Sequence, residues 1–343
     1  MKFVIDRAIP FIEGVFEPYA KVLYKEGPDI RREDLTDADA LVIRTRTRCD
    51  AALLEGTPVK LIATATVSLD NIDQAWCKEH GIFVKNASGC NAGGVTNYVF
   101  SALFGTAARK SISLSGATLG IIGLGSAGSR VEEMGSRLGF KILRYDPLRA
   151  AAEGPADFHE LDEVLAGSDI VTMHIPVNDT TRGMANADFF SQMKPGAFFI
   201  NTAQGELVVE QDLIDAIPRL GPVALDTWCH EPDINRELMD LVDIATPHIA
   251  GYTLQGKQIG TSLAIRSVAR FFGLSDLYDF FPTTEILEYQ AVGIDAHDKS
   301  QGQIASMIQY NYPIFTDDFL FRMNPESFSE LRANYSYRRE FYF

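Results

Sequence analysis

Two groups of residues in this chain have the types and spacing for chemistry. The first is Gly123-Leu-Gly125-Ser126-Ala127-Gly128, directly after the apolar run TLGII and directly before a helix-like stretch. Its glycines permit a tight turn, close approach of backbone to a pyrophosphate and close helix packing. The helix N-terminus adds N–H groups and positive potential. Asp146 stands eighteen positions after Gly128, at the end of the next strand-like run. A carboxylate there can accept hydrogen bonds from ribose hydroxyls and would repel a 2′-phosphate, so the motif reads as a site for NAD rather than NADP.

The second group is His248 and Glu231, in Thr246-Pro-His-Ile-Ala-Gly251-Tyr252 and Leu225-Asp226-Thr-Trp-Cys-His-Glu-Pro232. Histidine titrates near neutrality and suits general acid/base work, and a neighbouring carboxylate can orient its ring. A lone histidine after a strand is more often structural; the paired acid and the upstream glycine motif favour catalysis. His80, His159, His174, His230 and His297 lack such context. Both segments, with Asn201-Thr-Ala-Gln204-Gly205, follow strand-like runs, at the sheet edge where open α/β sheets bind ligands.

The elements that must hold these groups form two α/β series. The first has strand-like runs at Phe3–Ile5, Ala40–Ile43, Leu61–Thr64 and Ile82–Val84. The second has them at Thr118–Ile122, Lys141–Tyr145, Ile170–Met173, Ala197–Ile200, Val223–Leu225 and Val242–Ala245. Long helices are expected over Asn91–Arg109, crossing between domains, and over Leu254–Phe272, leading back. The fold class is therefore α/β, with two Rossmann-like doubly wound parallel-sheet domains, a cleft between them and a small C-terminal α+β module. The expected boundaries are 1–92 with 253–280 for a discontinuous substrate domain, 93–252 for the NAD domain and 281–343 for the module. Between Tyr310 and Phe343 eleven of 34 residues are aromatic. Left in water these would form a large apolar patch, so they pack either on their own chain or, the favoured reading, between the subunits of a homodimer.

With 31 Lys plus Arg against 46 Asp plus Glu, the net charge of −15 argues against a surface built for nucleic acid or anionic lipid. Any anionic ligand needs local positive charge. Arg44-Thr45-Arg46-Thr47-Arg48 could supply it: if the strand over Ala40–Ile43 continues, alternation puts the three arginines on one face. The competing reading is a solvated edge. No apolar run has bilayer-spanning length and the N-terminus lacks a signal-peptide pattern, so a cytoplasmic protein is expected. Cys49, Cys77, Cys90 and Cys229 lack zinc or disulfide spacing, so reduced thiols and no metal site are expected.

The stretches ADALVIRT, LIATATVSLDNID, SGCNA, GIIGLGSAG, YDPLRA, LDTWCHEPDIN, HIAGYTLQGK and LRANYSYRREF resemble the D-isomer-specific 2-hydroxyacid dehydrogenases, over nearly the whole chain. The resemblance implies NAD-dependent oxidation of a 2-hydroxy acid, within a branch acting on 4-phosphoerythronate in pyridoxal phosphate biosynthesis. It makes His248 the acid/base and Glu231 its partner. Asp146, Asp226 and Gly251 become cofactor contacts, and Thr45, Thr66 and Tyr252 substrate contacts. Ile175 stands where the family has a Thr that contacts the cofactor. Gln204 stands where the family has the Arg that binds the substrate carboxylate, and an amide carries no charge. Ser68 replaces a Gly and Asn97 an acid. Arg46 is an addition to the branch's pattern and would supply part of the charge missing at Gln204. These departures leave two alternatives open: another 2-hydroxy acid as substrate, or a catalytically weak NAD(H)-binding sensor or interaction protein.

Overall fold

The computed structural model describes residues 1–283 and 290–343. In chain order its main strands are β1 (Lys2–Asp6), β2 (Lys21–Lys25), β3 (Ala40–Ile43), β4 (Leu61–Thr64), β5 (Phe83–Lys85), β6 (Thr118–Ile122), β7 (Lys141–Tyr145), β8 (Ile170–Met173), β9 (Phe198–Asn201), β10 (Val223–Leu225) and β11 (Ile244–Ala245). Two short ones follow, β12 (Val292–Gly293) and β13 (Phe341–Tyr342). The α-helices are α1 (Ala51–Leu54), α2 (Gln74–Glu79), α3 (Ala92–Lys110), α4 (Ser126–Arg137), α5 (Pro147–Glu153), α6 (Leu161–Gly167), α7 (Ala187–Gln192), α8 (Glu210–Ala216), α9 (Arg236–Leu241), α10 (Leu254–Phe272), α11 (Gln301–Asn311), α12 (Ile314–Met323) and α13 (Phe328–Ala333). They form two compact units, Met1–Asn91 with Leu254–Tyr289 and Ala92–Thr253 with Gln290–Phe343.

The first unit is a parallel sheet of order β2-β1-β3-β4-β5. Strands β3 and β4 are buried at every residue, as in a sheet covered on both faces. The ladder has a strand that the apolar pattern did not disclose: β2, KVLYK, has charged ends and lies at the sheet edge, where continuous apolar residues are not required. By the topological rule the ligand position of such a sheet lies between β1 and β3. Here protein side chains fill it. Arg44 Nε donates to the fully buried Asp6 at 3.0 Å, and Thr47 Oγ1 donates to the Gly27 carbonyl at 3.1 Å. A Cβ at Gly27 would come within 2.9 Å of both Asp6 and Thr47.

This arrangement also corrects the expected arginine face. The strand stops at Ile43 and a turn follows, so alternation ends there. Arg44 turns inward to Asp6, Arg48 pairs with Asp50 at 2.7 Å, and Thr45 and Arg46 are exposed.

The second unit is a six-stranded parallel sheet of order β11-β10-β9-β8-β6-β7, with its switch point between β6 and β8. Helix α3 is buried along nearly its whole length and belongs to this unit. Part of the C-terminal segment packs on its own chain: Ile294, Ala305, Ile308, Tyr312, Ile314 and Phe341 join the apolar core that α3 and β6 build. Phe321 and Phe328 enter the core on the other side of the sheet. The expected start of a separate module at Phe281 runs into residues 284–289, which lie outside the described residues. Tyr310, Phe319, Leu320 and Met323 stay exposed. Among the described residues no helix is long and apolar enough to cross a membrane, and no cluster of His, Cys, Asp and Glu could hold a metal ion.

Candidate active site

The glycine turn connects β6 to α4. Gly123 has a φ of +89°, and a Cβ on it would meet Ile175 Cγ2 at 2.6 Å. A Cβ on Gly128 would fall on the carbonyl oxygen of Gly123. Around Gly125, by contrast, nothing lies within 4 Å of the Cβ position, so this backbone is open to a ligand. Gly125 caps the twelve-residue helix α4 without a side-chain hydrogen bond, and Ser126 and Ala127 begin its first turn. That leaves N–H groups facing outward for an anion. Asp146 is fixed beside the turn, accepting from Leu124 N at 2.8 Å and, as N-cap of α5, from Arg149 N at 3.0 Å. Arg149, the nearest cation on α5, forms a two-pronged ion pair with Glu153 at 2.6 and 2.7 Å, which opposes its use on a 2′-phosphate. At the same C-terminal sheet edge the buried hydroxyls of Thr202 and Thr227 have no hydrogen-bond partner. These features fit a dinucleotide.

His174, passed over in the sequence, directly follows β8, opposite the glycine turn. Its main-chain N–H donates to Ile122 O at 2.7 Å, and Nε2 lies 3.0 Å from Thr172 Oγ1. Burial pushes its imidazole down to about 4, so it stands neutral at the switch point.

His248 and Glu231 are brought together from the loops after β11 and β10. His248 Nδ1 lies 2.9 Å from Glu231 Oε2 and 3.2 Å from Oε1, both side chains being partly buried. Glu231 also accepts from Trp228 N at 3.0 Å. Burial raises the Glu231 carboxyl, but the hydrogen bond and charge of His248, the Trp228 N–H and Arg332 outweigh it and hold the group below its usual range. A carboxylate there favours the tautomer with the proton on Nδ1 and leaves Nε2 able to accept one. Nearby Cys229 is no nucleophile, since burial and then Glu210 raise its thiol to about 11.

Asp226 holds the histidine's loop. Its carboxylate accepts from Thr246 Oγ1 at 2.7 Å, Ile249 N at 2.8 Å and Ala250 N at 2.9 Å, and its main-chain oxygen from His248 N at 2.7 Å. Burial raises its pKa against the opposing charge of His248 and these donors. Thr246 is in turn 2.8 Å from the hydroxyl of the fully buried Tyr98. Gly251 lies in the turn that follows.

Gln204 sits on a loop closed by Asn201 Nδ2, which donates to the Gln204 carbonyl at 2.8 Å. The side chain is half-buried and has no hydrogen-bond partner among the described residues. Tyr252 OH accepts from Arg332 Nε at 3.1 Å. In the first unit, Thr66 Oγ1 lies 2.7 Å from Thr64 Oγ1, Ser68 bonds Asp70 at 2.6 Å, and Arg46 has no ion-pair partner among the described residues. Asn97 proves to serve another end: its amide pairs with both main-chain groups of Phe341, at 2.8 and 2.9 Å, which an acid could not do without a proton. Arg338 and Arg332, near the C-terminus, also reach this unit's loops, and only the stretch LRANYSYRREF pointed toward them.

Residues 97–250 match a model of the NAD-binding domain of D-isomer-specific 2-hydroxyacid dehydrogenases. An erythronate-4-phosphate dehydrogenase from Bacteroides thetaiotaomicron is 39% identical, covering 99% of this chain and 97% of its own. One from Salmonella arizonae is 36% identical, covering 99% and 92%. Among solved structures, an NAD⁺-bound 3-phosphoglycerate dehydrogenase of Entamoeba histolytica superposes with a TM-score of 0.67 at 25% identity, covering 82% of this chain and 99% of that one. A D-lactate dehydrogenase from Aquifex aeolicus superposes with a TM-score of 0.60 at 24% identity, over 82% and 100%, and supports the fold.

Proposed function

Since the chain belongs to the D-isomer-specific 2-hydroxyacid dehydrogenases, we propose that it oxidises 4-phosphoerythronate to the 2-oxo acid, with NAD as acceptor, as a step toward pyridoxal phosphate. Relatives of that activity along the full length support the substrate. The observation that carries the chemistry is the His248–Glu231 pair, with Nε2 left to accept a proton, in the unit that holds the glycine turn. The Gly125 turn, the N-terminus of α4 and Asp146 would hold NAD, which when bound would provide the acceptor for the hydride from C2. His248 Nε2 takes the proton of the C2 hydroxyl, and Glu231 stabilises the imidazolium that forms. Asp226 keeps the loop of His248 in place, and Gly251 lies beside it.

The resemblance assigns substrate contacts to Thr45 and Thr66 in the first unit, where Arg46 is the addition, and to Tyr252 and the amide of Gln204 in the second. Arg44 is engaged by Asp6 and contributes mainly by shaping the loop. Arg46, unpaired and exposed, supplies charge that Gln204 lacks. The neutral Gln204 also favours a second reading, a related 2-hydroxy acid with the same chemistry. The protein acts in the cytoplasm as a homodimer, joined through the exposed aromatic faces of its C-terminal helices.

The test follows NADH formation by the purified protein with 4-phosphoerythronate, 3-phosphoglycerate and unphosphorylated 2-hydroxy acids, with His248→Ala as control. Turnover of 4-phosphoerythronate above the rest, reduced to a small residual rate in His248→Ala, is expected; no turnover of any substrate despite NADH binding overturns the enzymatic reading. Arg46→Ala should raise KM for the phosphorylated acid by about tenfold, the loss of one charged hydrogen bond.

A further inference from the structure

The backbone of His248 has a φ of +57°, in the left-handed region that a non-glycine residue enters at a cost. The loop around it must therefore be held, and the two sides of its peptide units are held by different parts of the chain. Asp226 takes the N–H groups of His248, Ile249 and Ala250. The carbonyl oxygens are taken by one guanidinium from the C-terminal tail. Arg338 Nη1 donates to Ile249 O at 3.1 Å and Tyr252 O at 3.3 Å, and Nη2 donates to Ala250 O and, on the first turn of α3, to Gly94 O at 3.2 Å.

The charge itself is well supported. The guanidinium carbon lies 4.0 Å from the centre of the Tyr312 ring. Tyr335 OH is 3.2 Å from Nη1 and donates to Asp317 at 2.8 Å. The tail is seated independently of Arg338: Thr253 Oγ1 donates to Glu340 at 2.7 Å and Asn97 pairs with Phe341. The tail also frames Tyr252, whose ring meets those of Tyr335 and Tyr337 edge-on with centroids 6.2 and 6.3 Å away.

We propose that Arg338 is a positioning residue of the reaction, clamping the carbonyl side of the His248 loop against α3 so that the imidazole keeps its orientation toward the C2 hydroxyl. The inference rests on His248 being the acid/base. Without the clamp, the Ile249 and Ala250 peptides can rotate and relieve the left-handed residue, and the ring turns with them. Lysine keeps a charge at this place but cannot span four carbonyls with a planar fork.

Two measurements on Arg338→Lys and Arg338→Met test it. The first is amide hydrogen exchange of the protein without substrate. Protection of Ile249 and Ala250, whose N–H groups Arg338 does not touch, should fall at least tenfold in Arg338→Met, with β6 and β8 unchanged. Unaltered protection of the two amides, or an equal fall in the strands, overturns the proposal. This readout stands even if the protein turned over none of the substrates, an outcome that would count against the acid/base reading alone.

The second is kinetic. Displacing a reacting group by about 1 Å costs on the order of 100-fold, so kcat should fall by about that in Arg338→Met and by less in Arg338→Lys. The dissociation constant of NADH should change much less than kcat, since the Gly125 turn, the N-terminus of α4 and Asp146 are untouched and only Gly251 of the cofactor contacts lies in the clamped loop. In a His248→Ala background the same substitution should change the residual rate by less than about threefold, because a clamp that acts through the ring has nothing left to orient. A loss of equal size in both backgrounds would make Arg338 a general stabiliser and overturn the proposal. Should Arg338→Met fail to fold, Arg338→Lys decides alone: unchanged kcat and unchanged loop protection refute the clamp.

Discussion

At the scale of single residues, the acid/base pair was legible because histidine and glutamate sit on loops that follow successive strands of one sheet, so sequence order alone implied adjacency. Arg338 was not legible, because its partners in the histidine loop lie 86 to 89 positions away, Gly94 lies 244 away, and its role is to bind main-chain carbonyls, which leave no side-chain pattern. Gln204 is a departure visible in the sequence whose consequence is now concrete. The loop that presents it is fixed by Asn201 and the side chain is unpaired, so an arginine there displaces no existing side-chain hydrogen bond. Gln204→Arg should raise kcat/KM for a 2-hydroxy acid by about tenfold, the difference between a neutral and a charged hydrogen bond; an unchanged or lower value in steady-state assays would mean the site is fitted to the neutral amide. His174 gives a prediction of sign. Its pKa falls from 6.5 to about 4 on folding, so the unfolded chain binds the proton first. The contribution to stability is full above 6.5 and is lost as pH falls toward 4, on the order of 3 kcal/mol at most. Denaturant melts of His174→Asn should lose less stability over that window than the parent does; a parallel decline in both would refute the assignment.

At the scale of elements, continuous apolar runs gave the bounds of the buried strands β3, β4, β6, β8 and β10 and placed the buried β9 one residue early, while the half-exposed β7 was also read with its bounds. The edge strand β2 needs one apolar face at most and so left no run to find. The same distinction between packing and openness separates the glycines of the β6–α4 turn. Gly128 is required by the protein itself, since a Cβ would strike the Gly123 carbonyl, whereas Gly125 faces open space at a backbone φ of −68° that alanine adopts. Gly128→Ala should cost up to about 3 kcal/mol of stability as well as NADH affinity. Gly125→Ala should cost no more than about 1 kcal/mol, as an N-cap change, yet weaken NADH binding at least tenfold. Thermal melts beside fluorescence titration with NADH separate the two, and retention of full affinity in Gly125→Ala would place the pyrophosphate elsewhere.

At the scale of the whole molecule, two opposing terms govern the proposed dimer. Its attraction is apolar: Tyr310 on α11 and Phe319 and Met323 on α12 are 88%, 60% and 68% exposed, an expensive surface beside Tyr312, Phe321, Phe328 and Phe341, which enter the chain's own cores. Its opposition is electrostatic, because each copy carries a net charge of −15. Repulsion between such copies reaches about 30 Å at 0.01 M salt but only about 3 Å at 1 M, whereas apolar burial is not screened. Sedimentation should therefore show association strengthening as salt rises, the reverse of an interface built on ion pairs, which weakens. Phe319→Asp with Met323→Asp removes the attraction and adds to the repulsion, so that variant should sediment as a monomer at every salt concentration. Because neither side chain belongs to the cores around the glycine turn or the histidine loop, its NADH affinity should remain that of the parent. Association that weakens with salt in the parent, or persists in the double variant, would move the interface away from these helices.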